Sequence, residues 1–117
     1  MKLDSVGDVF LTRKLYLTGD EEKEIIIKLG KPKNFPDSPD YYCPYQIVGI
    51  GKEKVGYVGG IDEIQALLLS MERVGAILYT SEEYRNGRLR WEGDESGDLG
   101  IPVPKNLRDL LPHRGEE

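Results

Sequence analysis

The sequence predicts a single α+β domain: an antiparallel sheet of about four to five strands, built from two hairpins, packed on one long helix and followed by a short C-terminal helix. Three observations lead there. Apolar residues alternate over residues 8–17 (Val9, Leu11, Leu15, Leu17) and again over 24–29 (Ile25, Ile27, Leu29), which is the period of half-buried strands. From Ile61 to Leu78 they recur instead at three- and four-residue spacing, the mark of a helix with one apolar face. At 117 residues, 38% hydrophobic and 32% charged, the chain is apolar enough for a core and of a size for one.

Taken in order, the first two strands are joined by the polar run Thr18, Gly19, Asp20, Glu21, Glu22, which is turn chemistry and makes a hairpin. Residues 30–40 hold three prolines, two lysines and Asn34 and read as a surface loop, because proline cannot donate to a strand ladder. A second pair of strands is expected over 42–50 and 54–59, joined by Gly51, Lys52 and Glu53. Pro44 within it predicts a bulge or a sheet edge. Gly49, Gly56, Gly59 and Gly60 weaken strands unless another backbone approaches closely, and a helix lying across the sheet supplies that approach.

The helix is expected from about Asp62 to about Tyr84. Its stripe is Ile61, Ile64, Leu68, Met71, Gly75 and Leu78, widened by Leu67, Val74 and Ile77, and such a stripe belongs on a sheet. Residues 88–92 add a short strand, and 104–111 a short helix with proline in its first turn. The core is expected within about residues 8–92, leaving 93–117 as an irregular acidic loop and C-terminal segment.

The segment Gly59, Gly60, Ile61, Asp62, Glu63, Ile64, Gln65, Ala66, Leu67, together with Tyr42, Cys43, Pro44, Tyr45, Gln46, Ile47 upstream, resembles the recurring pattern of a family of short uncharacterised bacterial proteins known as a domain of unknown function. The resemblance spans roughly residues 8–91 and implies no activity or cofactor. Asp62 and Gln65 also have a local explanation. An acceptor at the N-cap with Glu or Gln three residues on is the capping-box spacing, and such a cap stabilises a helix by about 0.5–2 kcal/mol.

The net charge of −5 is unevenly spread: residues 1–60 hold nine Lys or Arg against nine Asp or Glu, and residues 61–117 seven against twelve. Nucleic-acid binding needs a basic stripe, whereas Arg85, Arg88 and Arg90 are bracketed by Glu82, Glu83 and Glu92. The longest apolar run is Ala66 to Leu69, far short of the roughly 20 residues that span a bilayer. With no apolar leader pattern near Met1 and Cys43 the only cysteine, a cytoplasmic location without nucleic-acid or membrane partners is the expectation.

Chemistry-bearing constellations are sparse. Gly59 and Gly60 precede a helix, but Asp62 and Glu63 in its first turn repel an anion. Gly49, Ile50, Gly51 lacks the third glycine of a dinucleotide fingerprint. One cysteine and one histidine make no thiolate or imidazole cluster. Asp94, Ser96, Asp98 and Gly100 have the start of a calcium loop, yet its invariant glycine falls at Leu99 and its terminal carboxylate at Lys105. Nucleophilic catalysis is limited to Cys43 with His113, and no base, orienter or oxyanion donor can be named. No catalytic residue, metal or cofactor is therefore expected.

Aromatics are plentiful at Tyr41, Tyr42, Tyr45, Tyr57 and Trp91, and such side chains anchor protein interfaces. Alternation sends Tyr41 and Tyr45 to one face and Tyr42 to the other. Tyr41, Tyr42, Tyr45 and Trp91, with Asp94, Glu95 and Asp98 of the acidic half, are the candidate interaction residues. The expected function is a non-enzymatic interaction module, an immunity-type neutraliser of a basic partner or a homo-oligomer. The alternative is a ligand-binding domain or enzyme with a pocket between helix and sheet.

Overall fold

The computed structural model describes residues 1–111 and has an α+β architecture. In chain order the elements are β1 (Val9–Leu17), β2 (Lys23–Gly30), β3 (Lys33–Asn34), β4 (Tyr41–Val48), β5 (Gly56–Gly60), α1 (Glu63–Tyr79), α2 (Glu82–Arg85), β6 (Leu89–Arg90) and a 3-10 helix over Lys105–Leu110.

The antiparallel sheet has six strands, not four to five. β1 pairs with β2 and, at its far end, with β6; β2 pairs with β4 through residues 45–48, and β5 pairs with β4 through 41–45. The extra strand is β3, whose two residues meet Tyr41 and Tyr42 on the edge of β4 that β2 occupies further along. Both β3 residues are polar and exposed, so no alternation reveals them. Pro44 sits in a strand with neighbours on both sides, not at a sheet edge. Its missing amide is accommodated because Pro44 falls in the gap between the β2 and β3 ladders.

One face of the sheet is the core: Leu15 and Leu17 of β1, Ile25, Ile27 and Leu29 of β2, and Cys43, Tyr45 and Ile47 of β4 are all buried. The other face carries Phe35, Tyr42 and Tyr57, packed with ring centroids 5.2–6.0 Å apart. α1 lies across β4 and β5 on the core side. Close approach is made possible by small residues: a Cβ on Gly60 would stand 2.5 Å from the Ala66 amide nitrogen. The Ser70 hydroxyl donates to the Cys43 carbonyl at 2.6 Å in full burial.

The single helix expected over 62–84 is broken after Tyr79. The Thr80 hydroxyl donates to the Ala76 carbonyl and the Ser81 hydroxyl to the Leu78 carbonyl, each at 2.6 Å. Ser81 Oγ then accepts from the Tyr84 amide and caps α2. Two consecutive hydroxyl side chains compete with the backbone for its own partners, and the helix ends there.

The helix buries only part of the stripe its sequence marks: Val74, Gly75 and Leu78 are in the core and Leu67 and Met71 pack against it, but the N-terminal part stands open. Ala66, Ser70, Val74, Gly75, Leu78 and Tyr79 are buried, while Ile61, Ile64 and Leu68 are 71%, 70% and 50% exposed. Of the stripe, the part around Gly75 and Leu78 is covered by residues 99–103, which cross α1 so closely that a Cβ on Gly75 would collide with the Pro102 carbonyl. Leu99, Ile101 and Val103 are buried in the same core cluster, so the core does not stop near residue 92. The stretch expected to be an irregular acidic loop is in part a strap that closes it.

Among the described residues, the side chains of Arg13, Tyr79 and Tyr84 hold the strap and the turn that leads into it. Arg13 Nη1 donates to the carbonyls of Leu99 and Gly100 at 2.8 and 3.1 Å, and its guanidinium lies 4.2 Å over the Trp91 ring. The Tyr79 hydroxyl accepts from the Leu99 amide at 2.8 Å and donates to Asp98 Oδ1 at 3.1 Å. The Tyr84 hydroxyl donates to the Gly97 carbonyl at 2.7 Å.

Candidate functional site

The candidate interaction residues do not assemble into one surface. Tyr45 is buried on the helix side of β4, while Tyr42 packs with Phe35 and Tyr57 on the opposite face. Tyr41 is half-buried against the core, and Trp91 is half-buried beneath Arg13. The carboxylates of the acidic loop serve its own backbone. Asp94 Oδ1 accepts from the amides of Ser96, Gly97 and Asp98 at 2.8–3.2 Å and from the Ser96 hydroxyl at 2.6 Å, and Asp98 Oδ1 accepts from the Gly100 amide at 2.7 Å. Of the candidate interaction residues, only Glu95 is exposed.

Asp62 caps α1, its Oδ1 accepting from the Gln65 amide at 2.8 Å. Gln65 Oε1 reaches back to the Ile61 amide at 2.8 Å, one residue earlier than in the usual reciprocal box. Both side chains are thus engaged in starting the helix.

Cys43 is buried, its thiol directed at the Gly30 carbonyl at 3.4 Å. Burial pushes its pKa up, with the Ser70 hydroxyl partly offsetting the rise, so the group stays a thiol at neutral pH and is a poor nucleophile. His113 lies outside the described residues. Among the described residues no group of three His, Cys, Asp or Glu is placed to hold a metal ion, and no helix is long and apolar enough to cross a membrane.

Two concave surfaces at the ends of α1 are better built. At its N-terminal end a cleft of about 430 Å³ is lined by Phe10, Lys31, Pro32, Glu63, Ile64 and Leu67. Leu68 lies one turn on from Ile64 on the helix, Ile61 precedes its cap, and Val9, Phe10 and Leu11 of β1 are also 40–46% exposed. Pairing of β1 with β2 shifts register between Val9 and Leu11, which is what interrupts the strand's in-and-out alternation here. The sequence does carry a sign of this: three consecutive apolar residues where alternation requires a polar one.

At the C-terminal end a second cleft, of about 440 Å³, opens between α1 and the β4–β5 hairpin. Tyr45, Ile47, Ile50, Val55, Gly56 and Ile77 form its apolar walls. Nothing in the sequence spacing joins these residues, because the hairpin and the helix end meet only in the folded chain.

No curated protein and no solved structure matches this chain. A family model does, that of a domain of unknown function (DUF6968), over residues 11–103. The match begins inside β1, takes in both ends of α1, and runs to Val103, the last buried residue of the strap. Covering most of the sequence from the first strand to the strap that closes the core, it makes this chain a member of the DUF6968 family.

Proposed function

We propose that the protein is a non-enzymatic interaction module that binds a basic protein partner through the open half of α1, an immunity-type neutraliser being the specific form of that role. One observation carries the reading: Ile64 and Leu68 on one face of the helix, and Ile61 just before its cap, stand half or more exposed beside a cleft walled by Phe10 and Pro32. Full burial of an aliphatic side chain of this size gains about 1.5–3 kcal/mol. Contiguous apolar surface of this kind marks contact sites.

The sign of the partner follows from the rim. Asp62, Glu63 and Glu72 stand on or beside the same stretch of helix, against Lys31 on the cleft wall, in a chain of net charge −5. A partner with an apolar centre and a basic border complements that surface, and the charges set association rate and specificity.

Affinity capture from a native lysate tests the reading. The expected result is one stoichiometric basic protein, released as salt is raised and bound at least tenfold more weakly by Ile64→Glu. A chain that captures no basic partner and sediments as a dimer dissolved by Ile64→Glu overturns it in favour of self-association.

A further inference from the structure

The cleft at the C-terminal end of α1 has a feature that the open apolar face lacks. Tyr45 is 8% exposed, so its ring is more than nine-tenths buried, yet its hydroxyl makes no hydrogen bond to any described residue. No fully enclosed side-chain nitrogen or oxygen lacks a partner among the described residues, so the hydroxyl keeps some access to solvent, and Tyr45 is one of the residues that line the cleft. The end of the ring lies against Gly56, where an added Cβ would come within 2.6 Å of both Cζ and the hydroxyl oxygen. Glycine at that position leaves the hydroxyl in place and the cleft floor unobstructed. A buried phenol with an unused donor, surrounded by aliphatic walls, is the arrangement by which small-molecule sites fix the orientation of a ligand.

The wall opposite is held in position. Glu53 occupies the left-handed region at φ 59°, its Oε2 accepts from the Gly49 amide at 2.9 Å, and its carbonyl accepts from Gln46 Nε2 at 2.8 Å. These contacts tie the hairpin loop to β4 and leave Ile50 and Val55 facing the cleft. Charge does not select the ligand: Lys52 and Lys54 on the lining are matched by Glu53 and Glu83.

From these observations we infer that the cleft between α1 and the β4–β5 hairpin binds a small uncharged apolar molecule carrying one hydrogen-bond acceptor, which accepts a hydrogen bond from the Tyr45 hydroxyl. The volume of about 440 Å³ is within the range of small-molecule sites. This site lies at the opposite end of the helix from the proposed partner surface and does not depend on it.

Titration with 4-phenyl-2-butanone, an aromatic ketone, followed by amide chemical shifts, is the test. Saturable shifts are expected at Ile50, Val55 and Gly56, unchanged in Ile64→Glu. Tyr45→Phe keeps the ring and should weaken binding about three- to tenfold, the worth of one hydrogen bond. Butylbenzene, which lacks the acceptor, should bind wild type and Tyr45→Phe alike. Ile77→Trp, at a position already 40% exposed, fills the cleft from its rim without disturbing the core and should abolish the shifts. Shifts that fail to saturate, that centre on Phe10, Ile64 and Leu67, or that Tyr45→Phe leaves unweakened overturn the inference.

Discussion

The two halves of α1 are written in the same code and meet different fates. Ile64, Leu68 and Gly75 project within about 40° of one another on an ideal helix, yet Gly75 is buried and the two aliphatic residues stand in solvent. The difference is the strap. Over the C-terminal half, residues 99–103 lie on that line and bring Leu99, Ile101 and Val103 into the core. Over the N-terminal half only the sheet side is covered, by Ala66 and Ser70 packed against β4 and β5. Periodicity says which residues share a line along a helix; burial is decided by whether another segment lies on it.

The sharpest way to break this comparison is to weaken the strap. Leu99 is fully buried, and Leu99→Ala removes its methyl groups from a packed interior, which should cost about 3–4 kcal/mol by urea unfolding. A loss under about 1 kcal/mol would mean that the strap merely rests on the core, and that the two halves of the helix are not so different after all.

A smaller effect, with its own pH signature, is expected at Tyr79. Its hydroxyl links α1 to the strap through the Leu99 amide and Asp98. Tyr79→Phe leaves a buried amide without its acceptor and should cost about 2 kcal/mol at neutral pH. Burial pushes the Tyr79 pKa well above its ordinary value of 10.0, with the Asp98 carboxylate adding to the rise and the Leu99 amide opposing it. The folded state therefore keeps a proton that the unfolded chain gives up above pH 10. Stability from this group is complete below that pH and falls as pH rises beyond it, by up to about 1.4 kcal/mol per pH unit. Tyr84, also raised by burial and by the Asp98 and Asp94 carboxylates, contributes in the same direction. Alkaline unfolding of Tyr79→Phe should therefore be shallower than wild type, though not flat; identical slopes would place the Tyr79 hydroxyl outside the strap network.

Strap and open face also mark the limit of what the chain reveals before it folds. The four longer strands, the hairpins and the start of α1 are legible because alternation, turn residues and the Asp62–Gln65 spacing are local signals. β3 is not, since two polar residues carry no period. The strap is not, because Leu99, Ile101 and Val103 sit among glycines and prolines after an acidic turn and look like loop. The aromatic and acidic residues singled out as an interaction site fare differently for a related reason: residue type suggests contact, but Asp94 and Asp98 serve the backbone of their own loop and Tyr42 and Tyr45 lie on opposite faces. Both clefts join residues far apart in sequence, and only tertiary structure brings Phe10 to Ile64 or Val55 to Ile77.

The smallest effect expected is the most informative about the open half. Ile64→Ala removes as much aliphatic surface as many core truncations do, but from a side chain 70% exposed. If the face is open in the free protein, little burial is lost and stability should change by less than about 0.5 kcal/mol. Alanine's higher helix propensity offsets part of even that loss. The same substitution in a face covered by self-association at the working concentration would instead cost about 2 kcal/mol or more, because the side chain would then be buried between copies. Measuring unfolding of Ile64→Ala and wild type at two protein concentrations a hundredfold apart separates the cases: a concentration-independent midpoint and a near-zero difference leave the surface free for another protein, whereas a midpoint that climbs with concentration in wild type alone shows that a second copy already occupies it.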